Sequence, residues 1–216
     1  MTIRYSGFIS ELGRSMIEML GVLAIVGILS IGAISGFQKA MTKHKINKTT
    51  EEFSQFINEL LRYSKDLKRM HTNNEAIEQA YIASSIEFFL PSTWRRESQY
   101  LYDSMNNRIN PFIRNDQTGV KNKYLSLDYK MQQSTDNTQL CIALYNMAKP
   151  YAEMLRKVTV YTNDGEHGTT TPVWGTIDCG KTQKCLTDIT FADMINYCNT
   201  CNSEKKGCTF VIMFRL

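Results

Sequence analysis

Gly13-Arg14-Ser15-Met16-Ile17-Glu18 runs directly into MLGVLAIVGILSIGAISGF, residues 19–37, and these twenty-five residues decide the reading of the chain. The nineteen residues from Met19 to Phe37 carry no charge. Wound as a helix they measure about 28 Å, close to the hydrocarbon thickness of a bilayer. Glu18 stands at the front edge of this run, after Met16 and Ile17. An ionisable group at the edge of a membrane span is costly, up to roughly 2.5–3.5 kcal/mol near the centre, so it calls for a functional partner.

A short polar stretch, MTIRYSGFISELG, precedes the cut-like position at Gly13. Glycine, then a glutamate five residues on, then an apolar helix: this segment resembles the N-terminus of type IV pilins and of the pseudopilins of type II secretion. The resemblance implies a leader peptide, residues 1–13, removed between Gly13 and Arg14. It implies that Glu18, the fifth residue of the mature chain, guides assembly. The mature first residue in that family is usually Phe or another apolar residue, with an N-methylated amine; here it is Arg14. A cut after Gly13 exposes a new amine with an ordinary pKa of about 7.7–8, mostly cationic at neutral pH. In a stack of helices a neighbour's amine would neutralise Glu18. Arg14 lies four residues before Glu18 on one helical face, a spacing that also permits pairing within the chain.

Two rival readings of the segment are a plain membrane anchor and a cleaved secretory signal. The signal reading would use Ala33-Ile34-Ser35 as its cleavage site, but Glu11 and Glu18 fall where such a signal is basic and apolar. Orientation is contested by charge: Arg4 and Arg14 precede the span, whereas Lys39, Lys43, Lys45 and Lys48 follow it. The positive-inside rule would keep the C-terminal part in the cytoplasm. The cysteines and the family resemblance place it outside, and they carry more weight. Gly32 and Gly36 form a G-x-x-x-G pair, a close-packing pattern for apolar helices that also arises from the general frequency of glycine in spans.

Beyond the span the pattern becomes amphipathic. Phe53, Phe56, Ile57, Leu60, Ser64 and Leu67 recur at three and four residues, opposite a charged face of Glu51, Glu52, Glu59, Arg62, Lys65 and Lys68. The expectation is one spine helix over 14–70, about 85 Å long, with a transmembrane segment at about 16–37. Its apolar stripe requires cover from a head domain over 71–216. A shorter helix is expected from Glu75 to Leu90, stopping before Pro91. Alternation in LSLDYKM (125–131), KVTVYT (157–162) and TFVIMFRL (209–216) predicts strands. Arg108–Ile113 reads as an edge strand because of Pro111. Helices are expected at Asp136–Ala148 and Ile189–Tyr197. The fold class is therefore α+β: a long N-terminal spine helix packed on an antiparallel sheet. This layout resembles type IVb-like pilins.

Six cysteines, Cys141, Cys179, Cys185, Cys198, Cys201 and Cys208, all lie in the C-terminal part. An even number there points to three disulfides in an oxidising compartment, with fifteen possible connectivities. By resemblance to the pilin disulfide, Cys141 is expected to join the C-terminal region, with Cys208 as partner. The C-x-x-C pair Cys198/Cys201, taken with Cys179 and Cys185, leaves a zinc site as the competing reading, and a thiol redox site is a weaker one.

Composition adds little: 216 residues, 43% hydrophobic, 21% charged and net charge +4 describe an ordinary folded chain without a nucleic-acid signature. The three histidines, His44, His71 and His167, are scattered, and no nucleophile-elbow, zincin, P-loop or dinucleotide motif occurs. No catalytic residue, metal ligand or cofactor is therefore assigned. The acidic turn Asn163–Gly168 reads as a solvated loop in preference to a calcium site. Trp94 and Trp174 read as core or subunit contacts.

The resemblance implies a structural, non-enzymatic subunit of a pilus (fimbrium) or type II secretion pseudopilus. The subunit would be stored in the cytoplasmic membrane with its C-terminal domain outside. The implied partners are a prepilin peptidase, other pilin subunits, an inner-membrane assembly platform, an assembly ATPase and membrane lipid. The alternative is a membrane-anchored binding module that never polymerises.

Overall fold

The computed structural model describes residues 10–70, 79–115, 122–132, 136–163, 172–201 and 207–216. The chain divides into two compact units, 1–44 and 45–216, with the division inside the first helix. The leader residues 1–9, His71, His167 and most of the acidic turn after Asn163 lie outside the described residues.

In the first unit the chain enters helix α1, Ser10–Arg62, before the expected cut. From Met16 to Phe37 every residue is exposed. In the second unit the same helix turns one face inward: Ile46, Phe53, Phe56, Ile57 and Leu60 are buried, the stripe that the three-and-four spacing anticipated. The expected single helix is interrupted at Tyr63. There the backbone ladder tightens, Tyr63 N–H donating to the Leu60 carbonyl at 3.1 Å, and the Tyr63 ring packs on Phe89 at 4.7 Å between centroids. Helix α2, Ser64–Met70, then continues and buries Leu67.

The second unit is built on an antiparallel sheet of eight strands: β1 Gln79–Tyr81, β2 Arg95–Glu97, β3 Tyr100–Tyr102, β4 Arg108–Asn115, β5 Lys123–Met131, β6 Leu155–Asn163, β7 Val173–Trp174 and β8 Gly207–Arg215. Their order is β2-β3-β4-β5-β8-β6-β7, with β1 also pairing to β4. Alternation sorts the two faces. Leu125, Leu127, Tyr129 and Met131 of β5, with Phe210, Ile212 and Phe214 of β8, are buried against α1 and α3, Asn137–Ala148. Phe53 of α1 meets Tyr129 at 5.2 Å between ring centroids, and Tyr145 of α3 meets Phe210 edge-on at 4.9 Å. Helix α4, Phe191–Cys198, packs beside α3. The chain is thus α+β, with a long N-terminal helix and an antiparallel sheet.

Three expectations need correction. Arg108–Ile113 is not an edge strand: β4 pairs with β5 along its whole length. Pro111 is tolerated because its backbone polar edge faces the gap between β3, which ends its pairing at Ile109, and β1, which begins at Phe112. Its carbonyl accepts there from Ile82 N–H at 3.2 Å. The helix expected from Glu75 to Leu90 is replaced, over its described residues, by β1 and a 3₁₀ turn at Glu87–Phe89. Ile82 and Ile86 are buried at helical spacing because one isolated turn joins them, Ile86 N–H to the Ile82 carbonyl at 3.2 Å. Cys141 does reach the C-terminal region, but its partner is Cys198, with Cα atoms 5.7 Å apart, and not Cys208. Cys208 opens β8 directly beside the 3₁₀ turn that follows α4, so it takes Cys201 from that turn. Cys179 closes a short loop to Cys185.

A capping box starts α4: Thr190 Oγ1 accepts from Asp193 N–H at 3.2 Å, and Asp193 Oδ2 accepts from Thr190 N–H at 2.9 Å. Lys184 adds an ion pair to the same carboxylate at 2.7 Å. Together, with Lys184 foremost, they hold the Asp193 carboxyl at about 2, below its ordinary 3.8. A lowered folded-state pKa stabilises above the unfolded value and is lost as pH falls through the folded one. Thermal unfolding of the protein and of Asp193→Asn should therefore differ at neutral pH, and the gap should close between about pH 4 and pH 2.

Candidate functional site

The sequence places its functional candidates on α1, and the structure bears on them unevenly. Gly13 and Arg14 are helical in the backbone, within α1. Glu18 is exposed on the same helix. Along 16–37 the apolar side chains are uncovered throughout, with Ile17, Ile28 and Ile31 each more than 70% exposed. Among the described residues, nothing lies within 4 Å of where a Cβ would stand on Gly21, Gly27, Gly32 or Gly36, so no close approach there requires these glycines. Thirteen large apolar side chains stand exposed between Met16 and Phe37. At about 1.5–3 kcal/mol each, covering them is worth of the order of 20 kcal/mol or more. That exceeds the roughly 5–15 kcal/mol net stability of a whole domain, so this segment is not built to face water. Among the described residues, one helix is long and apolar enough to cross a membrane, by length and composition.

At the start of the second unit, α1 is fastened to the head by one carboxylate. Glu52 Oε1 accepts from Thr93 Oγ1 at 2.9 Å, and Oε2 accepts from Trp94 Nε1 at 3.1 Å and from Ser104 Oγ at 3.2 Å. Lys48, one turn earlier, lies 3.8 Å away. Trp94 is buried against Phe53 and Phe56, with centroids 6.0 and 5.2 Å apart, so it is a core residue whose indole N–H needs this acceptor. Glu52→Ala leaves that N–H buried without a partner and is expected to cost about 2 kcal/mol in denaturant unfolding. The sequence pattern sets Glu52 on the charged face opposite the apolar stripe; the structure corrects this, burying its side chain because it accepts from Thr93, Trp94 and Ser104.

A second buried network shapes the β3–β4 turn. Asp103 accepts from Met105 N–H at 2.9 Å, from Asn107 N–H at 2.7 Å, and from Tyr129 OH. Burial pushes the Asp103 carboxyl above its ordinary value, against these hydrogen bonds, and pushes the Tyr129 phenol up as well. The groups fix the turn in which Asn106 adopts a φ of 63°.

All six cysteines are disulfide-bonded. The thiolate set a zinc site or a redox C-x-x-C would need is not formed, because Cys198 and Cys201 belong to different disulfides. Among the described residues, no group of three or more His, Cys, Asp or Glu side chains is placed to hold a metal ion. Trp174 is half-buried, with Lys157 Nζ over its ring at 5.6 Å.

Comparison with protein-family models, with curated proteins and with solved structures returns no match.

Proposed function

We propose that the chain is a prepilin: a subunit cut after Gly13, stored in the cytoplasmic membrane by its apolar helix, and polymerised into a type IV pilus or a type II secretion pseudopilus. The observation that carries this reading is the uncovered helix over 16–37, with Glu18 five residues after Gly13, in one chain with a disulfide-bonded α+β unit. A surface worth that much in burial needs lipid first and neighbouring copies of the same helix afterwards. The fibre would be a stack of such helices, each Glu18 set against a neighbour's new N-terminal amine, with the heads outward. A prepilin peptidase, an assembly platform and an ATPase would serve it at the membrane, and other pilins would share the fibre. The subunit does no chemistry of its own in this reading.

The test is fractionation of a cell that carries the assembly machinery. The processed chain should appear in the sheared or periplasmic fibre fraction, and electron microscopy with a head-specific antibody should label filaments along their length or at their tips. Confinement of all the protein to the membrane in that cell would overturn the proposal in favour of an anchored module.

A further inference from the structure

The face of the sheet turned away from α1 carries a polar trough of about 300 Å³, within the size range of small-ligand sites. Register places its groups: Arg108 of β4 stands opposite Lys130 of β5, and Asn110 opposite Asp128. Arg114 enters from farther along β4, and Tyr161 from β6 beyond β8. Three cations thus surround one carboxylate. Asp128 lies 3.9 Å from Arg114 and accepts from Ser126 Oγ at 3.0 Å. Arg108 and Arg114 lie over the rings of Tyr100 and Phe112, each at 4.4 Å, which keeps the guanidiniums at the sheet surface.

Several of these polar groups have unmet hydrogen bonds. Arg108 Nε, Arg114 Nε and Asn110 Oδ1 are covered and have no hydrogen-bond partner among the described residues. Such groups are rare in folded proteins and point to a missing partner. A ligand oxyanion that draws a guanidinium from its ring would engage Nε and a terminal nitrogen together, in the fork geometry arginine prefers.

We propose that this trough binds an acidic carbohydrate, with Arg108 and Lys130 holding the oxyanion of one sugar residue and Asn110, Asp128 and Tyr161 holding its hydroxyls. The central carboxylate decides the class. Asp128 repels any anion, so a ligand that gains from it must also offer hydroxyls, which a sugar residue has in number and a DNA phosphate backbone lacks. The site stands whether or not the subunit polymerises.

The experiment titrates the full-length protein in detergent micelles with a fluorescent tetrasaccharide containing glucuronate. A sulfated tetrasaccharide, a neutral maltotetraose and a single-stranded oligodeoxynucleotide serve as comparison ligands. A charged sugar should bind and the neutral one should not; which charged sugar binds better identifies the oxyanion. Arg108→Gln with Lys130→Gln should weaken binding at least about tenfold, and Lys130→Gln alone, at a half-buried position, should act in the same direction. Asp128→Asn gives opposite signs: weaker sugar binding, tighter oligonucleotide binding. Unchanged thermal unfolding shows that each variant is folded. The proposal is overturned if no charged sugar binds, if the oligonucleotide binds the unaltered protein as tightly as the sugar, or if Asp128→Asn tightens sugar binding.

Discussion

Glu18→Ala is expected to abolish fibre formation while leaving membrane insertion intact. The two effects separate because they depend on different physics. Insertion depends on the uncharged run from Met19 to Phe37, and removing a carboxylate from its edge can only ease it. Assembly in the proposed scheme depends on the carboxylate itself, which is costly beside hydrocarbon until a neighbour's amine, cationic below a pKa of about 7.7–8, neutralises it. A fibre missing that pairing loses both its register and part of the drive to leave the bilayer. The measurement compares the sheared fraction with the membrane fraction for the two proteins at equal expression. A non-polymerising anchor would show no change in either fraction. Arg14→Phe is the companion variant. If Arg14 competes for Glu18 from one turn away, its removal raises fibre yield, and an unchanged yield argues against that competition.

The largest stability effect is expected from Cys141→Ser with Cys198→Ser. This bond spans 57 residues, and constraint of the unfolded chain by a loop of that length is worth about 4 kcal/mol. The bonds at Cys179–Cys185 and Cys201–Cys208 close separations of only 6 and 7 residues, worth about 2 kcal/mol each on the same footing. Against a net domain stability of about 5–15 kcal/mol, losing the first leaves the head marginal. Both of its cysteines are fully buried, and they join α3 to α4 over the core. Urea unfolding without reductant should rank the three double-serine variants with the 141/198 pair clearly the weakest, and reductant should bring the unaltered protein down to it or below. Equal losses for all three would show that the long loop is not what this bond restrains.

The strength of each sequence signal follows from how local its cause is. The apolar run and the stripe from Phe53 to Leu67 were legible because helical burial repeats every three or four residues, and the alternation in 125–131 because a strand repeats every two. Pro111 misled because the edge rule concerns an N–H that a strand needs, and here the neighbouring strands leave a gap at that residue. Ile82 and Ile86 misled because one isolated turn buries two residues just as a helix would. The pairing of Cys141 was hidden because connectivity depends on α3 lying against α4, a long-range packing no spacing encodes. Of the candidate residues, the structure locates Glu18 on an uncovered helix, whereas its role rests on its offset from Gly13. The trough around Asp128 was illegible for another reason: its residues come from β4, β5 and β6 and meet only once the sheet is paired.

The N-terminus of the mature chain tests the offset of Glu18 from Gly13 directly. Expressed with a prepilin peptidase and analysed by N-terminal sequencing together with intact mass, the protein should begin at Arg14. A chain that still begins at Met1, or one cut beyond Ala33, would contradict it.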